Sequence, residues 1–430
     1  MGVDFIIDIP SEVLYIIELL QENSFEAYIV GGCLRDCIMS NTPKDWDVAT
    51  SALPEEIKEC FKEQRVIETG IAHGTITVVV NSFTVEVTTY RVDGVYSDNR
   101  HPDRVDFTKS ITEDLSRRDF TINALAYNPS TGLVDPFNGI KDIKDNIIRC
   151  VGNANQRLKE DSLRILRALR FASILSFLIE ENTSKAILSN KELLQNISKE
   201  RISKELIGIV TGYSVKQILM EYKDIILEII PELQYLYSNS EILKTTLNRI
   251  IVTPSDGIMR YAVLFTTIAT NNLSEVVNEE ELKKIKDILK GFKYSNDFIK
   301  AVLLLIEYSD INISLDRTQI KKYLSFLGVE RFKQLVQIRR AWQLTDTKGD
   351  TVFIYDEIIQ LIDEIEEGKE CYSLERLAVN GNDLLELGFA RGNKIGEILN
   401  QLLDMVIEER IVNEKEVLLE HLQKLSKKSE

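Results

Sequence analysis

The chain has 430 residues, of which 44% are hydrophobic and 28% are charged, so it is long and apolar enough to build a large folded core. Its formal net charge of −16 argues against a protein that binds nucleic acid indiscriminately. No apolar run approaches the ~18 residues that cross a bilayer, the opening MGVDFIIDIPSEVL lacks a basic signal-peptide segment, and the five cysteines are scattered. We therefore expect a cytoplasmic protein with free thiols, no zinc site and no membrane partner.

The first 150 residues predict a mixture of helices and strands. The segment SEVLYIIELLQEN (11–23) has helical periodicity, and AYIV is a short apolar strand that leads into two glycines. The segments DWDVAT, GTITVVV and FTVEVTTYRV are typical of strands, and the last two predict a hairpin with its turn at Asn81 and Ser82.

From about residue 151 onward strands almost vanish, and amphipathic helices follow one another without a fixed repeat or a flexible linker. Helical periodicity is clearest in segments 201–213, 216–237, 259–269, 297–308, 330–342 and 414–425. The predicted fold class is therefore α+β, with a small α/β head followed by a long all-helical remainder.

Charge is distributed unevenly along the chain. Residues 100–210 hold 18 Lys and Arg against 15 Asp and Glu, a balance of +3, while the remainder holds 34 against 53, a balance of −19. This local excess is consistent with a binding site for an anion, and chance fluctuation explains it equally well.

Two carboxylates in KDWDVAT have the spacing of a metal site. On a strand, residues i and i+2 point to the same face, so Asp45 and Asp47 converge while Trp46 and Val48 point into a core. Paired carboxylates suit Mg²⁺, which could activate an attacking hydroxyl and neutralise a leaving pyrophosphate. Solvated strand charges are the alternative. Glu86, on a later strand, is either a third carboxylate at this site or another solvated side chain.

Twelve residues separate a glycine doublet from Asp45. Gly31 and Gly32 follow an apolar strand and precede a predicted helix, CLRDCIM, where backbone N–H groups can approach a phosphate. Arg35 lies on the first turn of that helix and could contact the same anion, or simply pair with Asp36. Together with the carboxylate pair, the doublet indicates nucleotidyl transfer.

The segments that carry these residues resemble a known family. Their order and spacing over residues 25–175 are similar to the motifs of the class II tRNA nucleotidyltransferase and bacterial poly(A) polymerase family. The matching segments are YIVGGCLRD with PKDWDVATSALPEEI, RRDFTINALAY, DPFNGIKDI and EDSLRILRALRF.

The resemblance implies a polymerase-beta-like head at residues 1–150 and a helical neck for nucleotide base recognition at 151–210. A helical body at 211–330 and a tRNA-binding tail at 331–430 would follow. It implies template-independent addition of C, C and A to the tRNA 3′ end from CTP and ATP, with Mg²⁺ and release of pyrophosphate.

The resemblance also assigns roles to residues. Asp45 and Asp47 would hold the metal and catalyse transfer. The residues that would bind the nucleotide are Gly32, Arg35, Arg118, Asp119, Asn123, Asp161 and Arg164, and helix geometry adds Arg167 and Arg170. For the RRD segment, an exposed helix cap in which Asp119 pairs with its neighbouring arginines is the alternative.

The segment EDSLRILRALRF (160–171) predicts one helix that selects bases. C and A both present an amine donor beside a ring-nitrogen acceptor, whereas U and G present the reverse, so one carboxylate and one guanidinium can tell them apart. Asp161 and Arg164 lie at i and i+3 of the predicted helix and are similar to the family's base-reading pair. Arg167 and Arg170 turn away from Asp161 and would support Arg164 or bind phosphates.

Three further features bear on which family member this is. The segment ETGIAHGTITVVV lacks the basic signature of bacterial poly(A) polymerases. A polar loop containing Asp93, Gly94, Tyr96, Asp98, Arg100 and His101 resembles the flexible loop that CCA-adding enzymes need for the final A. Thr266 and Thr267 stand where many relatives carry a His-Asp metal motif, which implies no phosphohydrolase activity.

Full CCA addition is thus the favoured function. The alternatives are an A-adding enzyme that works with a separate CC-adding enzyme, a poly(A) polymerase, and a catalytically inactive tRNA-binding module. The oligomeric state stays open.

Overall fold

A mixed β-sheet and the helices around it organise the N-terminal part of the chain. The computed structural model describes residues 7–94, 104–269, 277–346 and 352–426. The chain divides into two units, Met1–Gln234 and Tyr235–Glu430. The finer boundaries expected at residues 150, 210 and 330 stay predictions.

Seven strands form the main sheet, in the order β3-β4-β5-β2-β1-β8-β9, and two short two-stranded sheets pair β6 with β7 and β10 with β11. The strands are β1 Ala27–Val30, β2 Trp46–Thr50, β3 Arg65–Gly70, β4 Thr75–Val80, β5 Phe83–Thr89, β6 Arg91–Asp93, β7 Val105–Phe107, β8 Ala126–Asn128, β9 Gly132–Val134, β10 Ile147–Ile148 and β11 Leu178–Ile179.

The helices of the N-terminal unit are α1 Ser11–Glu22, α2 Gly32–Ile38, α3 Pro54–Cys60, α4 Ile111–Ser116, α5 Gly139–Lys144, α6 Ala154–Glu160, α7 Leu163–Leu175, α8 Glu181–Ser189, α9 Lys199–Thr211, α10 Val215–Glu221 and α11 Lys223–Ile229. Helix α12, Gln234–Ser238, begins at the last residue of this unit.

The described residues of the C-terminal unit form helices joined by loops and include no strand. Its helices are α13 Ser240–Val252, α14 Gly257–Ala269, α15 Glu279–Gly291, α16 Asn296–Glu307, α17 Arg317–Leu327, α18 Val329–Asp346, α19 Phe353–Glu367, α20 Gly381–Glu386, α21 Asn393–Ile407 and α22 Lys415–Ser426. Thr266 and Thr267 lie buried on α14, where Thr266 Oγ1 donates to the Ala262 carbonyl and Thr267 Oγ1 lies 3.1 Å from Thr246 Oγ1.

The predicted α+β fold class is confirmed, since β11 is the only strand after Cys150 among the described residues. The predicted hairpin is also present. Strands β4 and β5 pair antiparallel from Thr75↔Thr88 to Val80↔Phe83, and the turn residues Asn81 and Ser82 have φ of 48° and 68°. Two left-handed residues match the twist of the flanking strands, which is why the turn is tight.

Two segments that were each predicted as one continuous helix are interrupted in the structure. Segment 216–237 is divided at Tyr222 and again before Pro231. The second division is expected, because proline disfavours helical backbone at the preceding residue, Ile230. Segment 160–171 is also not one helix: α6 ends at Glu160, Asp161 is extended with φ −133° and ψ 104°, and α7 begins at Leu163. The break at Asp161 and Ser162 lies in the candidate site.

Candidate active site

A cavity of about 720 Å³ in the N-terminal unit brings the predicted site residues together. Every one of them lines it: Gly32, Arg35, Asp45, Asp47, Arg118, Asp119, Asn123, Asp161, Arg164, Arg167 and Arg170. A volume of this size accommodates a ligand as large as a nucleotide. Its arginines are Arg35, Arg91, Arg117, Arg118, Arg164, Arg167, Arg170 and Arg201.

The carboxylates lie at one end of the sheet, where β2 begins. Asp45 is exposed directly before β2, Asp47 lies within it, and the alternate residues Trp46 and Val48 are only 5% and 0% exposed, as the strand period predicts. Strand β5 pairs with β2 in parallel, and its register places Glu86 beside Asp47.

Asp47 carries a charge that its surroundings disfavour. Burial, followed by the negative charges of Glu86 and Asp45, raises the pKa of Asp47 to about 6, although the nearby Arg118 lowers it. A carboxylate crowded by other carboxylates gains most from a cation, so this donor set fits a divalent metal. Within the described ranges, no three His, Cys, Asp or Glu side chains form a ready-made metal cluster, so the fit rests on the paired aspartates.

Gly31 gives the backbone its sharp turn between β1 and α2. Its φ of 78° lies in a region that side chains rarely adopt, and a Cβ there would lie 2.9 Å from Arg118 Nη1 and 3.8 Å from Asp47 Oδ2. The absence of a side chain at Gly31 therefore lets Arg118 approach the carboxylates across the turn.

A chain of polar contacts crosses the cavity from α2 to α7. Arg35 donates to Asp36 Oδ1 through Nε (3.0 Å) and Nη2 (2.7 Å), and to Asn123 Oδ1 through Nη1 (2.7 Å). Asn123 in turn donates to Asp119 Oδ1 at 3.1 Å, and Asp119 Oδ2 accepts from Arg167 Nε (2.8 Å) and Nη2 (2.5 Å). Arg35 therefore pairs with Asp36 and also lines the cavity, so its two predicted arrangements do not exclude each other.

Asp119 is ionised and firmly held. Burial alone would raise its pKa, but the charge and hydrogen bonds of Arg167, with the bond from Asn123, lower it to about 2. The alternative of a cap in which Asp119 pairs with its neighbouring arginines is wrong, because its partner is on α7.

Arg117 and Arg118 instead pair with a carboxylate one turn earlier. Asp114 is fully buried on α4 and accepts from Arg117 Nε and Nη2 at 3.0 and 2.7 Å and from Arg118 Nη2 at 3.2 Å. These two arginines hold the pKa of Asp114 below its usual value against the opposing effect of burial. The Arg118 Nε atom is buried and finds no hydrogen-bond partner in the described part of the chain.

Asp161 and Arg164 line the same cavity but do not share a helix. Asp161 lies in the break between α6 and α7, so the predicted i, i+3 pairing along one helix face is wrong. Its carboxylate accepts from Arg201 Nη2 at 3.0 and 3.2 Å. Arg164 Nη1 donates to Glu160 Oε2 (2.8 Å) and to the Arg157 carbonyl (2.9 Å), and its Nη2 donates to the Arg117 carbonyl (3.1 Å).

Helix α7 packs into the core as expected through the buried side chains of Leu163, Leu166, Leu169 and Phe171. Arg170 donates to Glu205 Oε2 of α9 at 2.6 Å, and its guanidinium lies 4.2 Å from the centre of the Phe171 ring. Arg35 and Arg167 lie 5.2 and 5.3 Å from the same ring. Three guanidinium groups thus lie within cation–π distance of the Phe171 ring.

Arg201 is the main site residue that the sequence reasoning missed. It lies on α9, four residues before Glu205, which is the spacing of an ordinary surface ion pair along a helix. In the structure the two residues have other partners. Arg201 pairs with Asp161, just before α7, and Glu205 pairs with Arg170 on α7. Arg91, Thr75 and Thr88 also line the cavity.

The expected flexible loop falls largely outside the described residues, which exclude Tyr96, Asp98, Arg100 and His101. Asp93, at its start, lies 3.3 Å from Arg91 and 3.9 Å from Arg117. In the described ranges, no helix combines the length and the apolar character needed to cross a membrane.

Comparison with known families places matches along most of the chain. The poly A polymerase head domain matches residues 27–149, tRNA nucleotidyltransferase domain 2 matches residues 273–422, and "Probable RNA and SrmB- binding site of polymerase A" matches residues 176–236.

Whole-length relatives share the same name. The CCA-adding enzyme of Ligilactobacillus salivarius is 36% identical over 97% of this chain and 98% of its own length. That of Enterococcus faecalis is 34% identical over 97% of each. The crystal structure of the Bacillus stearothermophilus CCA-adding enzyme in complex with CTP superimposes with a TM-score of 0.74 at 27% identity, covering 97% of this chain and 98% of the other.

Proposed function

We propose that this chain, which belongs to the family of CCA-adding enzymes, adds C, C and A to the 3′ end of tRNA from CTP and ATP and releases pyrophosphate. The observation that carries the proposal is the cavity in which a carboxylate pair faces eight arginines. The likeness to a structure solved with CTP supports the same conclusion.

The carboxylates are the part of the cavity where we place the chemical step. Nucleotidyltransferases of this family use a divalent metal, and we propose Mg²⁺ held by Asp45 and Asp47, with Glu86 beside them. Bound there, the metal would activate the attacking 3′-hydroxyl of tRNA and neutralise charge on the leaving pyrophosphate. The aspartates orient this chemistry by facing one side of β2, and the buried Trp46 and Val48 fix the strand that carries them.

The arginine side binds the triphosphate. Arg118 lies across Gly31 from Asp47, so an anion held there would lie next to the carboxylates. Arg35 and Arg167 are fixed by Asn123 and Asp119, which leaves them oriented before substrate arrives. Preorganised donors of this kind stabilise developing charge without reorganising.

Asp161 and Arg164 would read the base. Of the five N–H groups of Arg164, three are already donated to Glu160 and two backbone carbonyls, so at most two remain for a nucleobase. A guanidinium fixed in this way presents its remaining donors in one direction. A base with donors in place of acceptors would then leave polar groups unpaired, at about 1–3 kcal/mol each.

Single-turnover extension of a tRNA transcript that lacks CCA tests the proposal, with each nucleoside triphosphate supplied alone and in combination and the products sequenced. We expect one CCA triplet from CTP and ATP and no incorporation of U or G. The D45N/D47N variant serves as the inactive control, and replacing Mg²⁺ by Ca²⁺ or by EDTA tests the metal.

Each alternative has its own signature in this assay. Extension only of transcripts that already end in CC would indicate an A-adding enzyme, and long A tails would indicate a poly(A) polymerase. Binding of tRNA without release of pyrophosphate would indicate an inactive binding module. Any of these results would contradict full CCA addition.

A further inference from the structure

Asp161, which we propose reads the base amine, lies outside the helices on either side of it, so no helix holds it in place. It is the first of two residues in the break between α6 and α7, in extended conformation, and the next residue, Ser162, makes no side-chain cap of α7. Ser162 is fully buried, and its hydroxyl has no hydrogen-bond partner among the described residues. Asp161 Oδ1 itself accepts from the Leu163 N–H at 3.2 Å, which is a weak local restraint.

A second restraint comes from forty residues further along the chain. Arg201 Nη2 lies 3.0 Å from Asp161 Oδ2 and 3.2 Å from Oδ1, and both side chains line the cavity. Their side chains are 24% and 18% exposed, so the pair is shielded enough for a charge-assisted hydrogen bond to hold its geometry. We propose, on the basis of the proposed function, that Arg201 is a positioning residue that fixes the Asp161 carboxylate for base selection.

Helix α9 is a rigid support for this arginine. A Cβ on Gly208 would lie 2.6 Å from Arg170 Cδ, and one on Gly212 would lie 2.1 Å from Ser173 Oγ, so both glycines let α9 approach α7 closely. The Arg170–Glu205 ion pair lies between Arg201 and this close contact along α9. Packing between the two helices thereby fixes the backbone position of Arg201 relative to α7, so its side chain starts from a fixed point.

Asp161 keeps acceptor capacity while Arg201 holds it. An ionised carboxylate offers about four lone-pair sites, and the contacts with Arg201 and Leu163 use two or three of them. At least one site remains for the exocyclic amine of C or A. Without Arg201 the carboxylate would rotate, and the difference between an amine and a carbonyl on the base would be read less sharply.

The test compares CTP with UTP. We expect R201A to lower the ratio of kcat/KM for CTP to kcat/KM for UTP roughly tenfold, the effect of one mispositioned hydrogen-bond partner. R201K, whose single ammonium can replace the one contacting nitrogen, should restore most of the ratio. Equilibrium binding of CTP and UTP without tRNA should show the same loss of preference.

A double-mutant cycle separates positioning from mere stabilisation. In a D161A background, R201A should have no further effect on the CTP/UTP ratio, because the group it positions is gone. R376A is a matched control: Arg376 pairs with Glu366 at 2.9 Å with side chains 28% and 31% exposed, and it does not line the cavity.

An unchanged ratio in R201A, or the same tenfold loss in both backgrounds, would overturn the positioning role. If R201A does not fold, the R201K and R201Q variants decide it: R201Q should discriminate less well than R201K, and equal discrimination would count against the proposal. If the wild-type chain itself adds neither C nor A, the proposed function fails, and that result is distinguishable because it precedes any comparison of variants.

Discussion

Replacing Gly31 and Gly32 separately by alanine should change stability in opposite directions, although the two residues are neighbours. Gly31 has φ of 78°, and its Cβ would lie 2.9 Å from Arg118 Nη1. Gly32 is the first residue of α2, and its Cβ would meet nothing closer than the end of the Arg35 side chain at 3.7 Å.

The magnitudes follow from the backbone. A side chain forced into a region that only glycine visits readily costs about 1–3 kcal/mol, and the new Cβ must also shift the Arg118 guanidinium, whose Nη2 donates to Asp114. In G32A, removing a helical glycine gains at most about 0.5–1 kcal/mol. We therefore expect the two variants to differ by about 2–3 kcal/mol in the free energy of unfolding of the N-terminal unit.

The chain offers its own reporter for this measurement. It has two tryptophans, Trp46 and Trp342, and Trp46 is 5% exposed on β2. In a W342F background, the fluorescence of Trp46 follows unfolding of the N-terminal unit in urea, with EDTA present in every sample. Equal midpoints for G31A and G32A would refute the reasoning; loss of activity in G32A alone would not bear on it.

The remaining predictions concern charge and packing in the same cavity. D47N should stabilise the metal-free protein by roughly 2–3 kcal/mol at pH 7.5, because the folded pKa of Asp47, about 6, lies above its unfolded value. Its gain should vanish near pH 4, and D47N should also abolish nucleotide addition. D119N should cost about 2–3 kcal/mol at pH 7, since the pKa of Asp119 is about 2 when folded, and the cost should shrink as pH falls from 4 towards 2. G208A should raise the KM for CTP several-fold, because its Cβ displaces Arg170.

Matched measurements check each of these. Urea titrations of D47N and wild type at several pH values should converge at low pH, and a constant difference would contradict the pKa argument. For D119N, a loss that does not depend on pH would show that packing, not the ion pair with Arg167, is responsible. For G208A, an unchanged KM would mean that α9 shifts without moving Arg170.

Local rules predicted the carboxylate end of the cavity. The two-residue period of a strand is fixed by covalent geometry, so Asp45 and Asp47 could be placed together, and Trp46 and Val48 placed in the core, without any knowledge of the fold. The pairing of Glu86 with Asp47 needed the sheet order, which brings β5 beside β2 in parallel and is not encoded in either segment alone.

The end of the cavity that we propose reads the base was harder to predict, because the contacts that form it join distant parts of the chain. Helical spacing in EDSLRILRALRF suggested one helix, but Asp161 contacts Arg201 and leaves the helical path. Arg201 was itself concealed by Glu205 at i+4, a spacing that suggests a surface pair. Charged residues with several available partners cannot be paired from sequence when the competing partners lie on different elements.

The contacts across the cavity become available in a fixed order as the chain is synthesised. Arg35 and Asn123 are 88 residues apart, Asp119 and Arg167 are 48 apart, and Asp161 and Arg201 are 40 apart. During synthesis, the contact between Asp161 and Arg201 is the last of the three to become available, because Arg201 is made after Asn123 and Arg167. A nascent chain that ends before Arg201 holds every strand of the main sheet but not the partner of Asp161. Under the proposed function, we therefore expect selective nucleotide binding only once residues beyond Arg201 have been made.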